Sequence, residues 1–312
     1  MAPWRCHVSD HAAVELSPEA IEFADFMAGL VIPESEVDAI RTRSESVHLT
    51  AREPEGVTYR EVDAGGVPGI WCEPLDANTD YVLLHGHAGG SVLSSAFVDR
   101  KLAGHIAKAA GAPVLVLDFR RAPEHKYPAQ VDDAEMAFNW LLSEGYEPGN
   151  IITIGHSIGG FIAVALALRL RDKKQPLPGA IVSISPWCDL EIANETMATK
   201  AETDKILSKE LLEFFRESWV GGTGIEFTDT RINLNRADLS GLPPTLVSWG
   251  TYEVLAGEDE EFAARVKDAG IDTATVVVPG GQHSYVYGAG RVPEADAAIA
   301  QIGAWVREKT KI

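Results

Sequence analysis

Little in this sequence points toward a disulfide, a membrane or a nucleic acid. Cysteine is scarce: Cys6, Cys72 and Cys188 are odd in number and far apart, so no disulfide framework and no CxxC zinc pair can be read. Cys188 follows Trp187 at the end of an apolar run and reads as a small buried hydrophobe rather than a nucleophile. Positive charge is short as well. Lysine and arginine total 27 against 46 Asp plus Glu, a net charge of -19, and such a field repels phosphate backbones and anionic headgroups. No nucleic acid and no membrane surface is therefore expected as a partner, and the acid excess reads as a solubility device. No apolar run approaches the roughly 18 residues needed to span a bilayer. The first thirty residues are charged throughout, from Arg5 and Asp10 to Glu22 and Asp25, and lack the apolar core of a signal peptide. A soluble cytoplasmic chain is expected, in keeping with so few cysteines.

What is present is a globular composition, with 46% hydrophobic residues over 312 positions, enough to bury a large core around a sheet. Apolar residues at helical spacing (Ile21, Phe23, Phe26, Leu30, then Val37 and Ile40) predict two short helices separated at Pro33. Val57–Val62 and Val67–Cys72 predict a hairpin turning at Gly65-Gly66. Beyond it, strands are predicted at 81–84, 114–117, 151–154, 180–184, 245–248 and 275–278. Helical patterns near 96–109, 129–143, 158–171, 258–269 and 294–308 alternate with them. Strands this apolar are buried on both faces, so the expected fold class is α/β, a mostly parallel twisted sheet flanked by helices. One domain over 1–312 is expected. Between Ile184 and Leu246 the alternation breaks, leaving a helical piece around Ile206–Trp219 before Gly221-Gly222. That insertion and the N-terminal helices, about 190–225 and 1–50, are expected to cap the sheet's C-terminal edge, where open α/β sheets bind ligands.

The chemistry begins at Gly155-His156-Ser157-Ile158-Gly159, set between the β run Ile151–Ile154 and an Ala/Leu-rich helix. Glycines permit the tight turn that lifts a serine hydroxyl from a strand end onto a helix N-terminus, where the Ile158 N–H can face a developing oxyanion. Ser157 is the candidate nucleophile. Earlier, Tyr81–Leu84 runs into His85-Gly86-His87-Ala88-Gly89-Gly90-Ser91. Backbone N–H groups reach a substrate oxygen only where no side chain intervenes, so Gly89 and Gly90 are the further oxyanion candidates.

These residues resemble the hormone-sensitive lipase family of esterases, from about Tyr81 to the C-terminus. His87-Ala88-Gly89-Gly90 matches that family's His-Gly-Gly-Gly loop, with Ala88 and Ser91 as departures from Gly and an aromatic. Asp118-Phe119-Arg120-Arg121-Ala122-Pro123-Glu124-His125 is similar to Asp-Tyr-Arg-Leu-Ala-Pro-Glu-His, and Gly155–Gly160 to Gly-Asp-Ser-Ala-Gly-Gly. Ser185-Pro186-Trp187-Cys188-Asp189-Leu190 is similar to Ser-Pro-Trp-x-Asp-Leu. The resemblance implies an α/β-hydrolase fold and an ester-cleaving serine enzyme, with Ser91, His156 and Trp187 at the substrate pocket. Members of this family often pair, and with no interface legible here a homodimer stays open.

A serine nucleophile needs a base, and the base needs a carboxylate. Of nine histidines only His283 lies beyond Ser157, in the glycine-rich loop after Val276-Val277-Val278, and the chain order of this fold is Ser, acid, His. Gly250-Thr251-Tyr252-Glu253-Val254-Leu255 resembles the family's Gly-x-x-Asp-x-Leu, which puts Glu253 at the acid position. Asp259 and Glu258 are alternatives, expected instead to begin the next helix. The implied mechanism is acyl transfer through Ser157 with no metal and no cofactor. A small to medium hydrophobic ester is the expected substrate, or a lactone if Ser91 leaves room for a ring. Rival readings are a small-molecule receptor on the same fold, a dehydratase and an amidase.

Overall fold

A computed structural model describes residues 15–30 and 36–310. Pro33 and the first part of the expected N-terminal cap lie outside the described residues. The hairpin forms as expected: β1 (Val57–Asp63) and β2 (Pro68–Pro74) pair antiparallel, and β2 continues antiparallel onto β4 (Val114–Leu117). All later pairs are parallel, adding β3 (Val82–Gly86), β5 (Ile151–His156), β6 (Ala180–Ile184), β7 (Thr245–Gly250) and β8 (Thr273–Val278). The eight strands run in the order β1-β2-β4-β3-β5-β6-β7-β8. The four strands β3 to β6 are buried along their whole length, which is why they read as unbroken apolar runs rather than alternating ones.

Helices α3 (Ala96–Ala110), α4 (Ala129–Ser143), α5 (Ile158–Asp172), α8 (Ala256–Asp268) and α9 (Pro293–Thr310) cover the sheet, while α1 (Pro18–Leu30) and α2 (Val37–Ser44) precede it. The insertion after β6 carries a short α6 (Thr196–Thr199) and α7 (Lys209–Val220). The latter starts three residues later than its apolar pattern suggests. The reason is capping: Ser208 takes the Leu211 N–H at 3.2 Å, while Asp204 takes the N–H groups of Ile206 and Leu207, both at 2.8 Å, and holds them in a turn. No helix among the described residues is long and apolar enough to cross a membrane.

Strand order places the site. The chain leaves β3 toward β4 on one side and returns to β5 on the other, with Gly86 opposite Gly155 in register. The loops following β3 and β5 therefore diverge, and a crevice opens beyond their carboxyl ends. Both glycine-bearing segments of the sequence emerge there.

Candidate active site

Ser157 occupies the sharp turn between β5 and α5, with φ 57 and ψ -127. A non-glycine residue is strained there, and the turn is held because the Ser157 N–H donates to the Ile184 carbonyl at 2.9 Å. Three glycines make the turn fit. A Cβ on Gly159 would stand 1.9 Å from the Gly86 carbonyl oxygen, and one on Gly155 would stand 2.4 Å from the Gly159 carbonyl carbon. The backbone of β3 thus touches the first turn of α5, whose N-terminal dipole favours negative charge beside Ser157.

The serine faces the expected partners. His283 Nε2 lies 2.9 Å from Ser157 Oγ, and its Nδ1 lies 2.7 Å from Glu253 Oε2. The other carboxylate oxygen accepts the Gly250 N–H at 2.6 Å and the Ser185 hydroxyl at 2.9 Å. Burial pushes the Glu253 carboxyl up, against the pull of the His283 hydrogen bond and of the Gly250 N–H. Because a carboxylate only accepts, the His283 proton sits on Nδ1 and Nε2 is left to accept from Ser157. Of the competing acids, Glu258 and Asp259 do begin α8, but they are fully buried rather than displayed at the helix end. Glu258 Oε1 accepts the N–H groups of Cys188 and Asp189, at 2.7 and 3.2 Å. Burial pushes both carboxyls, and the Cys188 thiol, well up. The acid side of His283 therefore belongs to Glu253.

Gly89 and Gly90 have φ of 104 and 60, and no hydrogen bond among the described residues uses the N–H of Gly89, Gly90 or Ile158. The loop is braced from outside. Ala122 N–H donates to the Ser91 carbonyl at 2.8 Å, Arg121 to the Ser94 carbonyl at 2.6 Å, and Arg41 of α2 to the Val92 carbonyl at 2.9 Å. His87 stacks on Phe119 at 3.9 Å between ring centroids, and its Nδ1–H donates to the Ala88 carbonyl at 2.7 Å. The Arg-Ala-Pro-Glu-His segment thus buttresses the glycine loop.

Two expectations about the pocket change. The loop next to Ser91 is crowded at Gly90, where a Cβ would lie 2.3 Å from the ring of Phe215 on α7. Ser91 itself is fully buried. His156, expected on the substrate side, is also fully buried with both ring nitrogens engaged elsewhere. Trp187 is buried with its N–H 3.4 Å from the Ser157 carbonyl, and its indole N–H has no partner among the described residues.

Residues 83–287 match the alpha/beta hydrolase fold family. An esterase crystal structure from the bacterial hormone-sensitive lipase family superposes with a TM-score of 0.91 at 34% identity, covering 95% of this chain and 100% of that one. The chain belongs to the hormone-sensitive lipase family. An acetyl-hydrolase of Streptomyces hygroscopicus is 35% identical over 254 residues, 80% of this chain and 82% of that protein. An esterase of Acinetobacter venetianus is 30% identical over 246 residues, 79% of this chain and 80% of that protein.

Some residues of this family member's site escape a sequence reading. Ser185 shares the Glu253 carboxylate, and Asp204 Oδ2 accepts the Val254 N–H at 2.8 Å, tying the insertion to the acid loop. Gln282 continues the stitch, accepting from the Lys205 N–H at 2.8 Å and donating to the Thr203 carbonyl at 2.9 Å. Asp99 carried the one available signal: an acid three and seven residues before Leu102 and Ile106, on the buried stripe of α3.

Proposed function

We propose that this chain is a serine carboxylic-ester hydrolase that works through an acyl-enzyme on Ser157. Ester hydrolysis is the chemistry of the family to which it belongs, and its relatives bear the names esterase and acetyl-hydrolase. The observation carrying the finer reading is the unbroken line from Glu253 through His283 to Ser157, at 2.7 and 2.9 Å. In it, His283 Nε2 takes the Ser157 proton as Oγ attacks the ester carbonyl, and Glu253 stabilises the imidazolium on Nδ1. The N–H groups of Gly89, Gly90 and Ile158 hold the oxyanion, and His283 returns the proton to the leaving alkoxide. Water then repeats the sequence on the acyl-enzyme.

We read α1, α2 and the insertion around α7 as the cap over this site. Arg41 bridging to Val92 and Ala122, Lys205 paired with Asp25, and Phe215 lying on Gly90 support that role. With Phe215 closing the loop, short acyl groups fit best. A lactone remains a substrate of the same chemistry, its alkoxide staying tethered to the acyl group.

The test compares wild type, Ser157→Ala and His283→Ala on p-nitrophenyl acetate, p-nitrophenyl butyrate and a lactone panel. Each substitution is expected to lower kcat at least about a thousandfold. Undiminished turnover in either variant would sink the mechanism. A wild type inert on every ester and lactone would favour a small-molecule receptor.

A further inference from the structure

The acid on the buried stripe of α3 is the start of a second network. Asp99 has no exposed surface, and a carboxylate cut off from water must have its lone pairs occupied. Its Oδ2 lies 2.8 Å from His85 Nε2 and 2.7 Å from His156 Nε2. Its Oδ1 accepts the Tyr287 hydroxyl at 2.6 Å and, at 3.5 Å, the Ser94 hydroxyl. Burial alone would push this carboxyl up, but the two imidazoles that face it, His156 foremost, outweigh it and hold it well below the usual carboxylate range.

Two histidines and a carboxylate, with donor atoms within 4.8 Å of one another, could suggest a metal. The distances argue otherwise. Ligands held about 2.0–2.1 Å from a tetrahedral ion stand about 3.3 Å apart, whereas both imidazole nitrogens sit at N–H···O distance from the same oxygen.

The hydrogen-bond reading fixes the tautomers. A carboxylate donates nothing, so His85 and His156 each carry hydrogen on Nε2. Burial pushes His156 down, and a neutral ring with its hydrogen on Nε2 presents Nδ1 as a bare acceptor. Ser284 Oγ lies 3.1 Å away and donates to it. The chain positions give this contact its meaning. His156 immediately precedes Ser157 and Ser284 immediately follows His283. Ser157 and Ser284 each hold a positive φ, 57 and 53, which side chains rarely adopt.

We propose that Asp99, His156 and Ser284 form a positioning latch that fixes the distance between Ser157 and His283. Asp99 anchors the His156 ring in one orientation and one tautomer. The ring then binds Ser284 and pins the base loop to the elbow. None of the three touches the reacting atoms. The proposal rests on reading Ser157 and His283 as nucleophile and base.

The discriminating variant is Ser284→Gly. Glycine adopts φ 53 without strain, so a merely structural serine predicts unchanged turnover and an equal or higher Tm. The latch predicts the same Tm behaviour with kcat on p-nitrophenyl butyrate reduced about ten- to a hundredfold and KM within about twofold. It also predicts that the 15N resonance of His156 Nδ1 shifts when its donor is lost. Ser284→Ala, which keeps a Cβ, should show the same split between kcat and KM. Reaction of Ser157 with a fluorophosphonate, followed by mass spectrometry, separates the two levels of the argument. An unlabelled wild type would overturn the nucleophile assignment. Labelling and kcat equal to wild type in both Ser284 variants would overturn the latch and leave that assignment standing.

Discussion

Replacing Glu253 by glutamine would isolate what the buried carboxylate does. Its Oε1 receives two donors, the Gly250 N–H at 2.6 Å and the Ser185 hydroxyl at 2.9 Å, while Oε2 receives one, His283 Nδ1. A glutamine amide has a single oxygen, and the two donors hold it on the Gly250 side. Its NH2 must then face His283 Nδ1. The imidazole can accept that hydrogen only by moving its own proton to Nε2, 2.9 Å from Ser157 Oγ, where it blocks the base. A wrong tautomer in otherwise intact geometry costs about 10^3 to 10^4 in kcat, or about 4 to 5 kcal/mol at 1.36 kcal/mol per decade. Stability should move the other way, because the carboxyl is fully buried and pushed up in the folded state. Glu253→Gln should therefore unfold at the same Tm as wild type or higher while losing nearly all turnover. Glu253→Asp makes a graded control. Withdrawing the carboxylate by about 1.5 Å stretches the 2.7 Å contact to about 4 Å and should cost about a hundredfold. Steady-state hydrolysis of p-nitrophenyl acetate and thermal unfolding on the same preparations read both effects. A Glu253→Gln enzyme keeping more than a tenth of wild-type kcat would refute the tautomer argument.

Three other outcomes follow from packing and burial. Gly159→Ala puts a Cβ 1.9 Å from the Gly86 carbonyl oxygen, so it should lose about 3 kcal/mol or more in urea unfolding, and a near-normal midpoint would show that the elbow yields. Phe215→Ala removes the ring lying on Gly90; at about 0.8 kcal/mol per buried CH2 it should raise the hexanoate-to-acetate ratio of kcat/KM about tenfold, and an unchanged ratio would free the acyl pocket of α7. Asp259→Asn acts through pH. The Asp259 carboxyl is pushed well up by burial, with Glu253 and Glu258 adding to it, so the folded state keeps its proton while the unfolded chain ionises above about pH 4, and wild-type stability falls with rising pH by up to about 1.4 kcal/mol per unit. Asparagine does not titrate, so the variant should gain on wild type as pH rises above about 4 in urea titrations; a constant margin would mean that Asp259 is ionised in the fold.

The parts of this site that could be read in the sequence are those set by connectivity. Ser157, Glu253 and His283 each follow a parallel strand, and the sheet delivers every such loop to the same edge. Chain order and strand assignment were then enough to bring together residues up to 126 positions apart. Packing across the chain follows no such rule. Ser91 suggested an open pocket because the local sequence carries a small residue there, yet the ring lying against the neighbouring Gly90 belongs to Phe215 on another element. Glu258 and Asp259 had the signature of first-turn acids answering a helix dipole. The loop around Cys188 buries them instead and uses Glu258 as an acceptor for its own N–H groups. His156 shows the two kinds of information in a single residue. Its place beside Ser157 is a fact of sequence, and the family resemblance set it at the substrate pocket. In a strand-to-helix turn, however, neighbours in sequence point to opposite sides, so the side chain before the nucleophile is driven into the core. There it meets Asp99 of α3, and only that encounter determines which nitrogen carries the proton and what the ring can hold.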